Sequence, residues 1–229
     1  MQILLSPSHV DLWLYSIHPH ERNLSELFSI LSQAEQEKAK KFHFSSDRER
    51  YVISHGIMRQ LLTSYCGCER KEIHYQVNQY GKPSLSIGQT PIHFNLTHSD
   101  DLAGLAIASS PVGVDIEKIK PLDDYLSMTK HFLSPKESRT FQALAQEEQQ
   151  LTFYRAWTRK EAYIKAIGMG LSYPVEQVTI GLQEKAELLE DQANPANRDK
   201  WSLFSFEYGE YIGAITIPKN NSYEIKVFQ

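Results

Sequence analysis

The sequence holds only two cysteines among 229 residues, Cys66 and Cys68, separated by a single glycine. A structural zinc site ordinarily takes four ligands, and no second cysteine pair follows to supply them. The pair reads as reduced thiols near a helix end, which fits a reducing compartment. Long apolar runs are also missing. No stretch approaches the roughly 18 residues of a membrane-spanning helix. The opening residues, Met1-Gln-Ile-Leu-Leu-Ser-Pro7, lack a basic segment leading into an apolar one. The expectation is a soluble, cytoplasmic protein. A dominant charge is absent too. At a net charge of -4, no global field points to nucleic acid or to an anionic membrane.

What is present is enough chain for a full hydrophobic core, as one large domain or two small ones. Residues 2 to 17 alternate loosely between apolar and polar, predicting one or two strands with a turn at Pro7. Ser32 and Glu35 have the spacing of a capping box, so a helix begins there and runs to about Phe42. A second helix covers about Asp47 to Tyr65, and Glu72 to Val77 reads as a strand. Gln79-Tyr80-Gly81-Lys82-Pro83 is a loop by its glycine and proline. Ile92 to Ser99 and Leu102 to Ala108 read as strands, the latter buried on both sides.

After Ser109-Ser110-Pro111 the order of elements repeats. Val112 to Glu117 alternates as a strand. Leu133-Ser134-Pro135-Lys-Glu137 repeats the earlier Leu31-Ser32-x-x-Glu35, with proline at the first helical position. A long helix from Leu151 to Ile167 follows, then strands near 176–181, 201–207, 210–217 and 223–228. The polar segment 184–200 reads as an exposed excursion. The expectation is an α+β fold built as a pseudo-twofold duplicated unit, with halves at 1–110 and 111–229. Each half is a small, mainly antiparallel sheet packed with a long helix, and a cleft between them suits an active site.

The chemistry concentrates in the second half. Asp115 and Glu117 stand two apart on a strand and share a side, with Val114 and Ile116 on the other. Two close carboxylates repel unless a cation lies between them. Mg2+ suits such a site, being hard and oxygen-seeking, and it keeps substrate phosphates among its ligands. A solvated acidic strand edge is the plain alternative. Trp157, Glu161, Ile164 and Lys165 share one side of the long helix. Glu161 is a candidate third carboxylate, and Lys165 one turn on suits the charge of a metal-bound diphosphate. Lys82, Thr97, His98 and Arg50 are candidate anion binders. Lys38, Lys40 and Lys41 read as a solvated helix face from which one lysine can touch a phosphate.

Together these motifs resemble a family. Gly113-Val-Asp115-Ile-Glu117 and Trp157-Thr-Arg-Lys160-Glu161-Ala-Tyr-Ile-Lys165 look like the two-part signature of the 4′-phosphopantetheinyl transferases. Gly81-Lys82-Pro83 and Phe94-Asn-Leu-Thr97-His98-Ser99 look like that family's other two motifs, in the same order. The length and repeated halves resemble the monomeric branch that activates peptide and polyketide synthases. The resemblance implies transfer of the phosphopantetheine arm of coenzyme A to a serine of an apo acyl or peptidyl carrier protein, with Mg2+, releasing adenosine 3′,5′-bisphosphate. It implies Asp115, Glu117 and Glu161 as metal ligands, with Glu161 and Lys165 catalytic. Lys38, Arg50, Lys82, Thr97, His98, Asp115 and Lys165 would bind coenzyme A. Thr97 stands where the family usually has serine, and Glu35 where some relatives carry a phosphate-binding lysine. The segment Met169-Gly-Leu171-Ser-Tyr173 is the expected carrier-docking surface. A Mg2+-dependent diphosphate hydrolase or nucleotidyl transferase, and a non-catalytic binder of coenzyme A, are the competing readings.

Overall fold

The computed structural model describes residues 3, 5–6, 8–69, 72–87, 90–219 and 223–229. The turn expected at Pro7 lies outside the described residues. Among the described residues the first element is the strand β1 (His9–Ser16), followed by α1 (Leu24–Ile30), α2 (Gln33–Lys40) and α3 (Ser45–Cys66). Then come β2 (Gln76–Val77), β3 (Pro83–Ile87), β4 (Thr90–Ser99), β5 (Leu102–Ala108) and β6 (Gly113–Lys118). The remainder is α4 (Tyr125–Thr129), α5 (Pro135–Gln142), α6 (Gln146–Ile167), β7 (Val178–Ile180), β8 (Leu188–Asp191), β9 (Trp201–Tyr208), β10 (Tyr211–Pro218) and β11 (Glu224–Phe228).

A six-stranded sheet has the order β11-β1-β5-β4-β3-β2, and a three-stranded sheet has the order β6-β10-β9. All of these pairings are antiparallel except β1 with β11. The two long helices, α3 and α6, have 22 residues each, and each ends at a glycine in the left-handed region. Gly67 and Gly168 reach φ 63 and 73, where a side chain is strained.

The repeated Leu-Ser-x-x-Glu has a physical reason beyond capping. In α2 and α5 the serine accepts from the glutamate's N–H, and the glutamate carboxylate accepts from the serine's N–H. Each glutamate also faces a buried cation on the long helix of its half. Arg59 of α3 donates to Glu35 at 3.1 Å, to Ile30 O at 3.0 Å and to Ile73 O at 3.2 Å. Lys160 of α6 lies 2.6 Å from Glu137 and donates to Phe132 O and Val178 O at 2.6 Å and to Val175 O at 3.1 Å. A buried charge is tolerable only when its donors are satisfied in this way, and removing one partner of such a pair costs about 3–5 kcal/mol. The two Leu-Ser-x-x-Glu segments therefore share a buried ion pair as well as a helix cap.

Three expectations change. The strand read from Glu72 is confined to Gln76–Val77. The segment 184–200 is no simple excursion, because it contains β8 and a 3₁₀ turn, Pro195–Asp199. Asp191 is buried there and accepts from Tyr163 at 2.5 Å, from Asn197 at 2.9 Å and from Tyr173. The last strand, β11, leaves the second half and pairs in parallel with β1 of the first. The cysteines are free thiols at the end of α3, Cys66 buried and Cys68 half-buried.

Strand β6 lies between two neighbours that position it. On one side α6 crosses so closely that a Cβ on Gly113 would fall 2.0 Å from Ala162 O and 2.4 Å from Ala166 N. On the other, alternate residues of β4 reach across to it. Asn95 Oδ1 accepts from Val114 N at 2.8 Å, and Ser99 Oγ accepts from Lys118 N at 3.1 Å.

Gly113→Ala is expected to lower unfolding stability by about 3 kcal/mol, the cost of forcing packed backbone apart; urea midpoints of the two proteins measure it. A second expectation concerns acid. The His55 imidazole stacks on Tyr51 with ring centres 3.9 Å apart. Burial, reinforced by the Lys38 charge, pulls its pKa from 6.5 down to about 4. The unfolded chain then takes up the proton first. Stability from the neutral ring is present above pH 6.5 and is lost as pH falls toward 4. Between pH 7 and pH 4 the wild type should lose up to about 3 kcal/mol that His55→Gln does not lose, read from paired urea titrations at the two pH values.

Candidate active site

Strands β4 and β6 and helix α6 enclose a cavity of about 310 Å³. Leu96, Thr97 and His98 line it from β4, Asp115 and Glu117 from β6, and Trp157, Glu161 and Lys165 from α6. The two-residue period of the strand places both carboxylates on the cavity side. The four-residue steps of the helix bring Trp157, Glu161 and Lys165 to the same place.

Asp115 is almost fully buried. Its Oδ1 accepts from Lys165 Nζ at 2.6 Å and from Thr97 Oγ1 at 3.0 Å, while its Oδ2 has no partner among the described residues. Glu117 accepts from Ser99 Oγ at 2.6 Å. Burial raises the pKa of all three carboxyl groups, Asp115, Glu117 and Glu161. The Asp115 charge adds to the rise at Glu117 and Glu161, and Lys165 opposes it at all three. The pKa of His98 is shifted down, first by burial and then by the Lys165 and Arg50 charges.

This donor set fits a hard cation. It is all oxygen, its acids repel, and a buried carboxylate oxygen is left without a partner. Among the described residues no three His, Cys, Asp or Glu side chains stand together closely enough to hold a metal ion as they are placed. The Lys165 ammonium instead supplies the neutralising charge at Asp115.

Other sequence candidates fall outside this cavity. Arg50 pairs with Asp101 at 3.5 Å, close enough to influence His98. Lys38 stands 5.2 Å from the centre of the Tyr51 ring. Lys82 is not brought to the cavity, because its ammonium is held by carbonyls at the end of α6. Glu35 is committed to its helix cap and to Arg59, which accounts for an acid at a place where some relatives have lysine.

Sequence reasoning missed two neighbouring spaces. A cavity of about 370 Å³ adjoins the first through Leu96 and His98 and is walled by Tyr51, His55, Tyr75 and Phe94. A third, apolar cavity of about 300 Å³ shares Trp157 and Glu161 and is lined by Met128, His131, Phe132, Ile164 and Tyr173. Helix α4, which supplies Met128, has no strong sequence signal. In the expected docking segment, Met169 packs against the second-half core and Tyr173 is buried; the side chain of Leu171 lies outside the described residues. A further cavity of about 1010 Å³ between α5 and β7–β8 contains none of the candidate residues. Among the described residues no helix is long and apolar enough to cross a membrane.

Comparison with known proteins agrees with this geometry. A family model described as the 4′-phosphopantetheinyl transferase superfamily matches residues 111–216. A second, described as 4′-phosphopantetheinyl transferase, N-terminal, matches residues 16–111. The chain is 34% identical over 206 residues to the 4′-phosphopantetheinyl transferase HetI of a Nostoc species, covering 88% of this chain and 84% of that protein. It is 30% identical over 176 residues to the 4′-phosphopantetheinyl transferase Sfp of Bacillus subtilis, covering 76% and 77%. With similarity of this extent along both chains, the protein belongs to the 4′-phosphopantetheinyl transferase superfamily and is of the Sfp-like type.

Proposed function

We propose that the protein moves the 4′-phosphopantetheine arm of coenzyme A onto a serine hydroxyl of an apo acyl or peptidyl carrier protein, in a Mg2+-dependent reaction. The observation that carries this reading is the partnerless Oδ2 of Asp115, set in a cavity with Glu117, Glu161 and Lys165. The serine oxygen attacks the β-phosphorus, the bond from that phosphorus to the bridging oxygen breaks, and adenosine 3′,5′-bisphosphate leaves. Transfers of this kind are catalysed mainly by positioning and by neutralising charge.

Asp115, Glu117 and Glu161 would hold the metal. When bound, Mg2+ supplies Lewis-acid neutralisation of the diphosphate oxygens. Lys165 stabilises charge on the departing side. Glu161 lines both the acidic cavity and the apolar one. It therefore stands where a serine arriving along the apolar side gives up its proton, and it is assigned as the general base. Thr97 and His98 contact the diphosphate, while Arg50 and Lys38 flank the adjoining cavity and take the phosphates of the nucleotide end. The carrier docks against the apolar cavity around Met128 and Phe132. One chain supplies both sides of the site, β4 from the first half and β6 and α6 from the second, so the enzyme acts as a monomer. It works in the cytoplasm, in activation of secondary-metabolite synthases.

Purified apo carrier protein, incubated with coenzyme A, Mg2+ and this protein, should gain the mass of one phosphopantetheine arm by mass spectrometry. Chelator should abolish the gain and added Mg2+ restore it. Glu161→Ala and Lys165→Ala should each slow transfer by about 10²–10³-fold, the scale for loss of one preorganised charged group. Coenzyme A binding without transfer to any of several apo carriers would move the assignment to a non-catalytic binder.

A further inference from the structure

The Gly81-Lys82-Pro83 loop plays no part in the reaction as drawn above. Its lysine was expected at a phosphate, yet Lys82 Nζ donates to Val112 O at 2.8 Å, to Lys165 O at 2.6 Å and to Ala166 O at 3.0 Å. An ammonium has three protons, and these three acceptors match them. Two of the carbonyls lie in the last turn of α6, where backbone oxygens lack helical partners and the helix end is negative. A cation there caps the helix.

Asn78 completes the arrangement. Its Nδ2 donates to Gly168 O at 2.7 Å, and its Oδ1 accepts from Tyr80 N and Lys82 N, each at 2.9 Å. Gly81, at φ 87, allows the chain to turn between them. The fit on the helix end is tight: a Cβ on Gly168 would stand 2.9 Å from Lys82 Cδ and 3.0 Å from Asn78 Nδ2. Val112 immediately precedes β6, which carries Asp115 and Glu117. Lys165 and Ala166 close α6, which carries Glu161. One side chain from the first half therefore grips both acid-bearing elements of the second.

We infer that Asn78 and Lys82 are positioning residues. Their turn clamps the start of β6 to the end of α6 and sets the spacing of Asp115 and Glu117 against Glu161 and Lys165. The Lys82 ammonium, engaged by three carbonyls, then holds no phosphate of coenzyme A. This inference rests on the transferase reading and concerns the same site.

The test compares wild type with Lys82→Met and Asn78→Asp, the latter keeping the lysine and removing the donor to Gly168 O. Three quantities are measured: turnover at saturating coenzyme A, the coenzyme A Kd by calorimetry without metal, and Mn2+ affinity by electron paramagnetic resonance. A misplacement of about one ångström lowers turnover by about 10–100-fold, and that loss is expected in both variants. Mn2+ affinity should fall by about tenfold and the coenzyme A Kd should stay within about threefold. A tenfold or larger loss of coenzyme A affinity in Lys82→Met, the size of a lost phosphate contact, overturns the inference. So do wild-type turnover and Mn2+ affinity in Asn78→Asp, which decides alone if Lys82→Met does not fold. Should the wild type itself transfer nothing to any apo carrier, the transferase reading fails, and the Mn2+ affinities still decide whether the clamp exists.

Discussion

The approach of α6 to β6 is the constraint on which the rest depends. Where the helix passes over Gly113 there is no room for a Cβ, so strand and helix meet backbone to backbone. At that separation an acid on the strand and an acid on the helix open into one small space. A wider gap would leave Asp115 and Glu161 in separate solvated environments, without the mutual repulsion that helps raise the Glu161 pKa. The hydrogen bonds from Asn95, Thr97 and Ser99 hold the opposite flank of the strand. Chemistry is thus concentrated on a strand fixed from both sides.

Two matching buried ion pairs hold the long helices. Arg59 with Glu35 and Lys160 with Glu137 are the same solution used twice: a helix-capping acid turned inward against a cation on the long helix. Lys160 neighbours Glu161 in sequence, yet the two point to different places. The lysine enters the core and the glutamate enters the cavity. A signature of adjacent charged residues therefore mixes a structural role with a chemical one, and only the direction of each side chain separates them.

Much of this was legible in the sequence because it is local. Capping boxes, the apolar run from Leu102 to Ala108 and the spacing of Trp157, Glu161 and Lys165 depend on near neighbours and backbone period. Asp115, Glu117, Glu161, Lys165, Thr97 and His98 were named from the sequence, and they line one cavity. What escaped depends on distant partners. Asp191 and Asn197 sit in a segment whose polarity suggests exposure, but tyrosines at 163 and 173 draw them inside. Lys82 has a residue type that suits a phosphate, and nothing near it in sequence reveals that carbonyls from beyond Pro111 take its protons. Helices α1 and α4 are short, and their faces carry too few turns to show a period.

Strand β11 gives the chain an unusual order of assembly. Trp13 stacks on Phe228 at 4.5 Å, and His9 meets Glu224, so the first sheet is completed by residues that follow both long helices in the chain. Until then one edge of β1 has no ladder partner, and an unpaired edge is a template for adventitious strand pairing. The ribosome therefore releases a first half that still lacks one of its strands. Closure of that edge joins the two halves at a second place, on the opposite side of β5 from the strand β4 that lines the acidic cavity.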